Sequence, residues 1–108
     1  MKVDIALRHI SNPPASIKEY ILEKLERLSR FDHLVSRVQV VASDEHTHNH
    51  QTRYFMEAVV HLPRGHEVVA KVSASCLFEA TDTLADRLEK QVARYKDRVT
   101  YHHRGREA

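Results

Sequence analysis

Arg87, Lys90, Arg94 and Arg98 follow one another at intervals of three, four and four residues. On a helix that spacing confines them to an arc of about 80° along one side. A row of guanidinium and ammonium groups can neutralise phosphates, and so position a protein on a nucleic acid without reading its bases. The same spacing also suits a solvated face. Asp86 with Lys90, Glu23 with Arg27 and Glu26 with Arg30 are i,i+4 pairs in the favourable order, each stabilising a helix by roughly 0.2–0.5 kcal/mol.

Two other groups could do chemistry. His46, His48 and His50 alternate, and in extended backbone three such imidazoles could converge on a metal, with His61 or His66 as a fourth ligand. Yet "DEHTHNHQT" reads as a polar, aperiodic loop, and nine histidines spread through the chain point to composition. No metal site is expected. Cys76 is the single cysteine, which excludes an internal disulfide and a multi-cysteine zinc site. It could be a reactive thiol at a helix start; a small residue tucked between strand and helix is the expected account. There is no nucleophile elbow, phosphate-binding glycine loop or H-E-x-x-H pattern, so no catalytic residue, cofactor or small-molecule substrate is expected.

The elements that must carry these residues can be read from the pattern. Residues 2–9 alternate, with Val3, Ile5 and Leu7 on one face and Lys2, Asp4, Ala6 and Arg8 on the other, which predicts a half-buried strand. "SNPPAS" breaks the chain, and Ser16 with Glu19 matches a capping box. A helix is predicted to about Arg30, burying Ile17, Ile21, Leu25 and Leu28. "VSRVQVVAS" is a β-branched strand; "RYFMEAVVHL" and "EVVAKVSAS" form an antiparallel hairpin around "PRGH". A last helix runs from about Leu77 toward Val99, with Leu77, Ala80, Leu84, Leu88, Val92 and Tyr95 facing the core. The order is β-α-β-β-β-α, an α+β class whose economical packing is two layers, both helices on one face of a four-stranded sheet.

Whole-chain properties bound the function. With 108 residues the chain is one domain, 1–99, followed by an aperiodic tail, 100–108, expected to be flexible. A formal charge of +2 does not by itself imply a nucleic acid, so the placement of charge must decide. There is no run of the roughly 20 apolar residues that a membrane span needs. The chain reads as soluble and cytoplasmic. On both helices the charges are sorted. Arg87, Lys90, Arg94 and Arg98 flank the last apolar stripe, with Glu79, Asp82, Asp86, Glu89 and Asp97 on the other side. Lys24 and Arg27 flank the first, with Glu19, Glu23 and Glu26 away from it.

The closing run "LFEATDTLADRLEKQVARYKDR" and the first helix "IKEYILEKLERLSRF" resemble the ribosome hibernation promoting factor family, which includes the ribosome-associated translation inhibitors once called σ-54 modulation proteins. That family's last helix opens with an Asp-Met-Tyr-Ala-Ala-Ile-Asp pattern and continues with spaced lysines. Here the run is Leu77, Phe78, Glu79, Ala80, Thr81, Asp82, then Leu84, Arg87-Leu88, Gln91-Val92, Arg94, Lys96 and Arg98. The resemblance covers about residues 2–99. It implies a fold similar to double-stranded-RNA-binding domains, and binding in the tRNA and mRNA groove of the small ribosomal subunit. It also implies rRNA contacts by Lys24, Arg27, Arg87, Lys90, Arg94 and Arg98, with Arg8, Lys71 and Lys96 as secondary contacts. The chain is similar to the short form, which promotes inactive ribosome dimers, and is expected to be monomeric when free. It departs from the pattern at Cys76, where the family has Asp, at Glu79 for alanine, and in the histidine-rich loop.

Two other classes fit the same residues. A free-standing double-stranded-RNA-binding module would bind isolated duplexes rather than assembled subunits. A metal or redox protein would use the histidine loop or Cys76.

Overall fold

The computed structural model describes residues 1–10, 12–46, 49 and 51–107, with residues 100–107 by their backbone alone. The chain runs β1 (Lys2–Arg8), α1 (Ile17–Leu25), a 3₁₀ segment (Glu26–Phe31), β2 (Arg37–His46), β3 (Thr52–His61), a turn (Pro63–Gly65), β4 (Glu67–Ala74) and α2 (Leu77–Glu107). The expected α+β architecture is present: one four-stranded sheet in the order β1-β2-β3-β4. β1 and β2 are parallel, joined by the α1 crossover, while β2–β3 and β3–β4 are antiparallel.

Alternation in the strands sends one set of side chains inward. Val38, Val40 and Ala42 of β2, Met56, Ala58 and Val60 of β3, and Ala70, Val72 and Ala74 of β4 are buried beneath the helices. Ile17, Ile21, Leu25 and Leu28 close over them from the first helical stretch, and Leu77, Ala80, Leu84, Leu88 and Val92 from α2. α2 lies over β3 and β4. Thr81 is the buried polar residue on its inner face, and its hydroxyl donates to the Leu77 carbonyl at 2.8 Å. The other sheet face meets solvent. Lys2, Arg37, Arg53 and Lys71 lie there, with Phe55 and Val69 exposed among them beside a shallow groove lined by Val41, Ser43 and Lys71.

Four local features differ from the sequence reading. The first helix is α only to Leu25 and then tightens to 3₁₀, which carries Leu28 and Phe31 into the core three residues apart. Ser16 holds the N-cap position of α1, its carbonyl accepting from the Tyr20 N–H at 2.9 Å, but its side chain makes no capping bond. The predicted capping box therefore does not form. β2 and β3 extend into the polar segment, pairing Asp44 with Tyr54 and His46 with Thr52. Finally, α2 continues beyond Val99 to Glu107. No helix among the described residues is long and apolar enough to cross a membrane.

The turn between β3 and β4 is tight because both central residues are left-handed, Arg64 at φ 61° and Gly65 at φ 76°, with the His66 N–H bonded to the Pro63 carbonyl at 3.3 Å. That is the type I′ arrangement, whose twist matches the strands it joins.

Cys76 is exposed, not tucked between strand and helix. Its carbonyl accepts the Ala80 N–H at 3.0 Å, so it occupies the N-cap of α2. Cys76→Asp should then stabilise the fold by about 0.5–1 kcal/mol, since aspartate can accept from the first-turn amides and faces the positive helix end. A thermal melt checks this. A lower midpoint than wild type overturns it.

Candidate nucleic-acid interface

The two helices run in the same direction, and their contacts rise in step. The Tyr20 ring meets Phe78 edge-on at 4.8 Å, and its hydroxyl donates to Asp82 at 2.7 Å. Lys24 pairs with Asp82 at 3.7 Å, Arg27 with Asp86, and Arg30 with Glu89 at 3.7 Å. The 3₁₀ segment makes this ladder possible. With three residues per turn, Arg27 and Arg30 stack on one line facing α2. On α2, Asp82, Asp86 and Glu89 follow the four-then-three spacing of one α-helical face.

All three rungs are substantially solvent-exposed, so each stabilises the fold by about 0–1 kcal/mol. The hydrogen bond to Asp82 pushes the Tyr20 phenol above its ordinary pKa, and burial and the Asp82 charge act in the same direction. Removing that proton would set phenolate against carboxylate, so Tyr20 remains a donor at neutral pH.

The opposite flank of α2 is different. Arg87, Lys90, Arg94 and Arg98 are all exposed, and among the described residues none is held in an ion pair. Arg87 donates to the Lys71 carbonyl at 2.9 Å, so this flank overlooks the outer edge of β4. Arg94 and Arg98 lie within about 20° of Arg87 around the axis, and Lys90 stands on the more outward crest. The ridge from Arg87 to Arg98 is about 16 Å long at the α-helical rise. His66 packs against Tyr95 at 5.8 Å, which brings the β3–β4 turn, with exposed Arg64, beside the same stretch of helix.

The nine basic residues singled out from sequence therefore divide by place. Arg87, Lys90, Arg94 and Arg98 share one flank, and Lys71 lies on the strand that Arg87 reaches. Lys24 and Arg27 sit on the other flank, bound to carboxylates. Lys96 also lies toward that side, its ammonium 5.8 Å from the Phe31 ring. Arg8, at the end of β1, is a full sheet's width away from β4.

Arg30 and Arg64 are not among those nine. The three-residue interval from Lys24 through Arg27 to Arg30 is a visible signal for the first. Nothing local signals the second, because its place depends on how α2 folds back over the hairpin.

Of the three loop histidines, His46 is the one among the described residues. His46 lies in β2, its Nδ1 3.1 Å from the Thr52 hydroxyl and its Nε2 3.9 Å from Asp44. His48 and His50 lie outside the described residues. Among the described residues no three histidine, cysteine, aspartate or glutamate side chains are grouped to hold a metal.

The geometry thus offers an open basic ridge on a two-layer fold, with no assembled chemical centre beside it among the described residues. Residues 3–100 match the family model of the sigma 54 modulation protein / S30EA ribosomal proteins. The chain belongs to that family. It is 31% identical over 98 residues to the ribosome hibernation promoting factor of Pseudomonas putida, covering 91% of this chain and 89% of the relative. The corresponding factor of Azotobacter vinelandii is also 31% identical over 98 residues, covering 91% of this chain and 85% of its own length.

Among solved structures, the N-terminal domain of Protein Y from Thermus thermophilus superposes with a TM-score of 0.71 at 29% identity, covering 88% of this chain and 99% of that domain. A ribosomal subunit interface protein from Coxiella burnetii gives a TM-score of 0.75 at 22% identity, covering 90% of this chain and 99% of its own, and shares the fold.

Proposed function

We propose that this protein is a ribosome hibernation factor. It binds the small ribosomal subunit in the channel used by tRNA and mRNA, inhibits translation, and promotes pairing of ribosomes into inactive dimers. The observation that carries this reading is the open ridge Arg87, Lys90, Arg94 and Arg98 on a chain whose relatives are named for hibernation. These four meet rRNA phosphates, and Lys71 adds a charge from the outer sheet face at the same β4 edge. Lys24, Arg27 and Lys96 act from the α1 side, and Arg8 from the far edge of the sheet. Selectivity comes from the shape of the rRNA groove, because side chains that meet phosphate do not read sequence. The protein works by occlusion in the cytoplasm, is monomeric when free, and uses no cofactor or small-molecule substrate.

Sedimentation of ribosomes with added protein tests the reading, because it reports binding and dimer formation together. The four ridge contacts alone release enough condensed counterions that affinity for small subunits should fall at least roughly 50- to 150-fold between about 50 and 200 mM salt. Binding that ignores salt, or no binding to ribosomes, overturns the proposal. Preference for a bare RNA duplex over the subunit would favour a free-standing duplex-binding module instead.

A further inference from the structure

The two basic stripes of this protein are in different states. On the α1 side Lys24, Arg27 and Arg30 are each engaged by a carboxylate, and two of these three also lie against a ring. Lys24 is 5.3 Å from the Tyr20 centroid, and the Arg30 guanidinium 4.6 Å from that of Phe31. On the β4 side the cations are open. The ladder does little for stability, since its partners are exposed and water screens them. Its larger consequence is electrostatic and local. A phosphate approaching Lys24, Arg27 or Arg30 meets Asp82, Asp86 or Glu89 at nearly the same distance, and attraction and repulsion largely cancel.

We propose that Asp82, Asp86 and Glu89 are specificity-determining residues. They mask the α1 cations from polyphosphate, so that an RNA is admitted first along the β4 flank of α2. The α1 cations join only where a shaped RNA surface can displace the carboxylates. A generic duplex meets one ridge. A groove that touches both flanks meets two. This inference rests on the RNA-binding reading above, but it concerns these three carboxylates and can fail by itself.

The test compares wild type with Asp82→Asn/Asp86→Asn/Glu89→Gln and with a control, Glu19→Gln/Asp32→Asn/Glu45→Gln. The control removes the same charge from positions that take no part in the ladder or in the other ion pairs of the fold. Binding is measured against salt for a random-sequence RNA duplex and for small subunits. Unmasking three cations should steepen the duplex salt slope by about 2–3 and raise duplex affinity at least roughly tenfold at about 50 mM salt. The control should leave the slope unchanged. Adding Lys24→Gln/Arg27→Gln/Arg30→Gln to the unmasked variant should cancel the gain.

A duplex slope equal to wild type, a gain matched by the control, or a gain that survives removal of the α1 cations overturns the proposal. Failure of wild type to bind subunits would instead overturn the hibernation reading. The duplex measurement still decides the masking.

Discussion

Replacing Arg87, Lys90 and Arg94 together by glutamate is expected to abolish the proposed binding to the small ribosomal subunit and to leave the protein folded. All three side chains are exposed, and none takes part in an ion pair among the described residues. The fold gives up the hydrogen bond from Arg87 to the Lys71 carbonyl on the outer edge of β4. That carbonyl can return to water, so the cost is about 0.5–1.5 kcal/mol. The binding cost is of another order. If the proposed interface holds, three phosphate contacts are lost, which should reduce the salt slope by about 3, and three carboxylates then face the same phosphates.

Charge reversal needs a control that shifts net charge equally, and the acidic side of α2 does not provide one. Asp82 and Glu89 face Lys24 and Arg30, so lysine there would set like charges against each other. Glu19→Lys/Asp32→Lys/Glu45→Lys is the suitable comparison. If general attraction governed binding, this variant would bind more tightly while the ridge mutant weakened in proportion. If the ridge is the contact surface, only the ridge mutant loses the subunit in a sedimentation assay. A ridge mutant that binds like wild type would make the row a solvated face.

The ladder between the helices marks where sequence reading stops. Periodicity within α2 separates Leu84 and Leu88 from Arg87 and Lys90 correctly, because burial of an amphipathic helix depends on its own residue order. It cannot show that α1 runs alongside, so in sequence Asp82, Asp86 and Glu89 look like a detached acidic flank. The tightening to 3₁₀ after Leu25 is hidden for the same reason: Leu28 and Phe31 must both reach the core, and tertiary packing overrides local preference.

The hairpin is legible because Pro63 and Gly65 carry their turn chemistry with them. The ends of β2 and β3 are not. Asp44, His46 and Thr52 are polar, yet backbone pairing across the ladder of strands extends through them. Cys76 escapes the pattern because free cysteine is usually buried, whereas this one caps a helix at the surface.

Leu88→Ala is expected to do the reverse of the ridge mutant, although it adjoins Arg87 in sequence. Leu88 has 0% exposure and packs with Leu84 and Val92 beneath α2. Truncation removes its apolar burial and leaves a cavity in the core between α2 and the sheet. The loss should be about 3 kcal/mol, within the usual range of roughly 2–5 for such a change. For a domain of about 100 residues that lowers the melting midpoint by roughly 12–24 °C.

Where the variant remains folded, at low temperature, its ridge still stands on α2, and the salt slope of subunit binding should match wild type. The two readouts therefore separate at neighbouring positions. Position 88 moves the melt and spares the slope, and position 87, as part of the triple reversal, moves the slope and nearly spares the melt. A Leu88→Ala protein that melts within a few degrees of wild type would mean that α2 is not anchored at its midpoint. The ridge would then have no rigid support from which to meet an RNA surface.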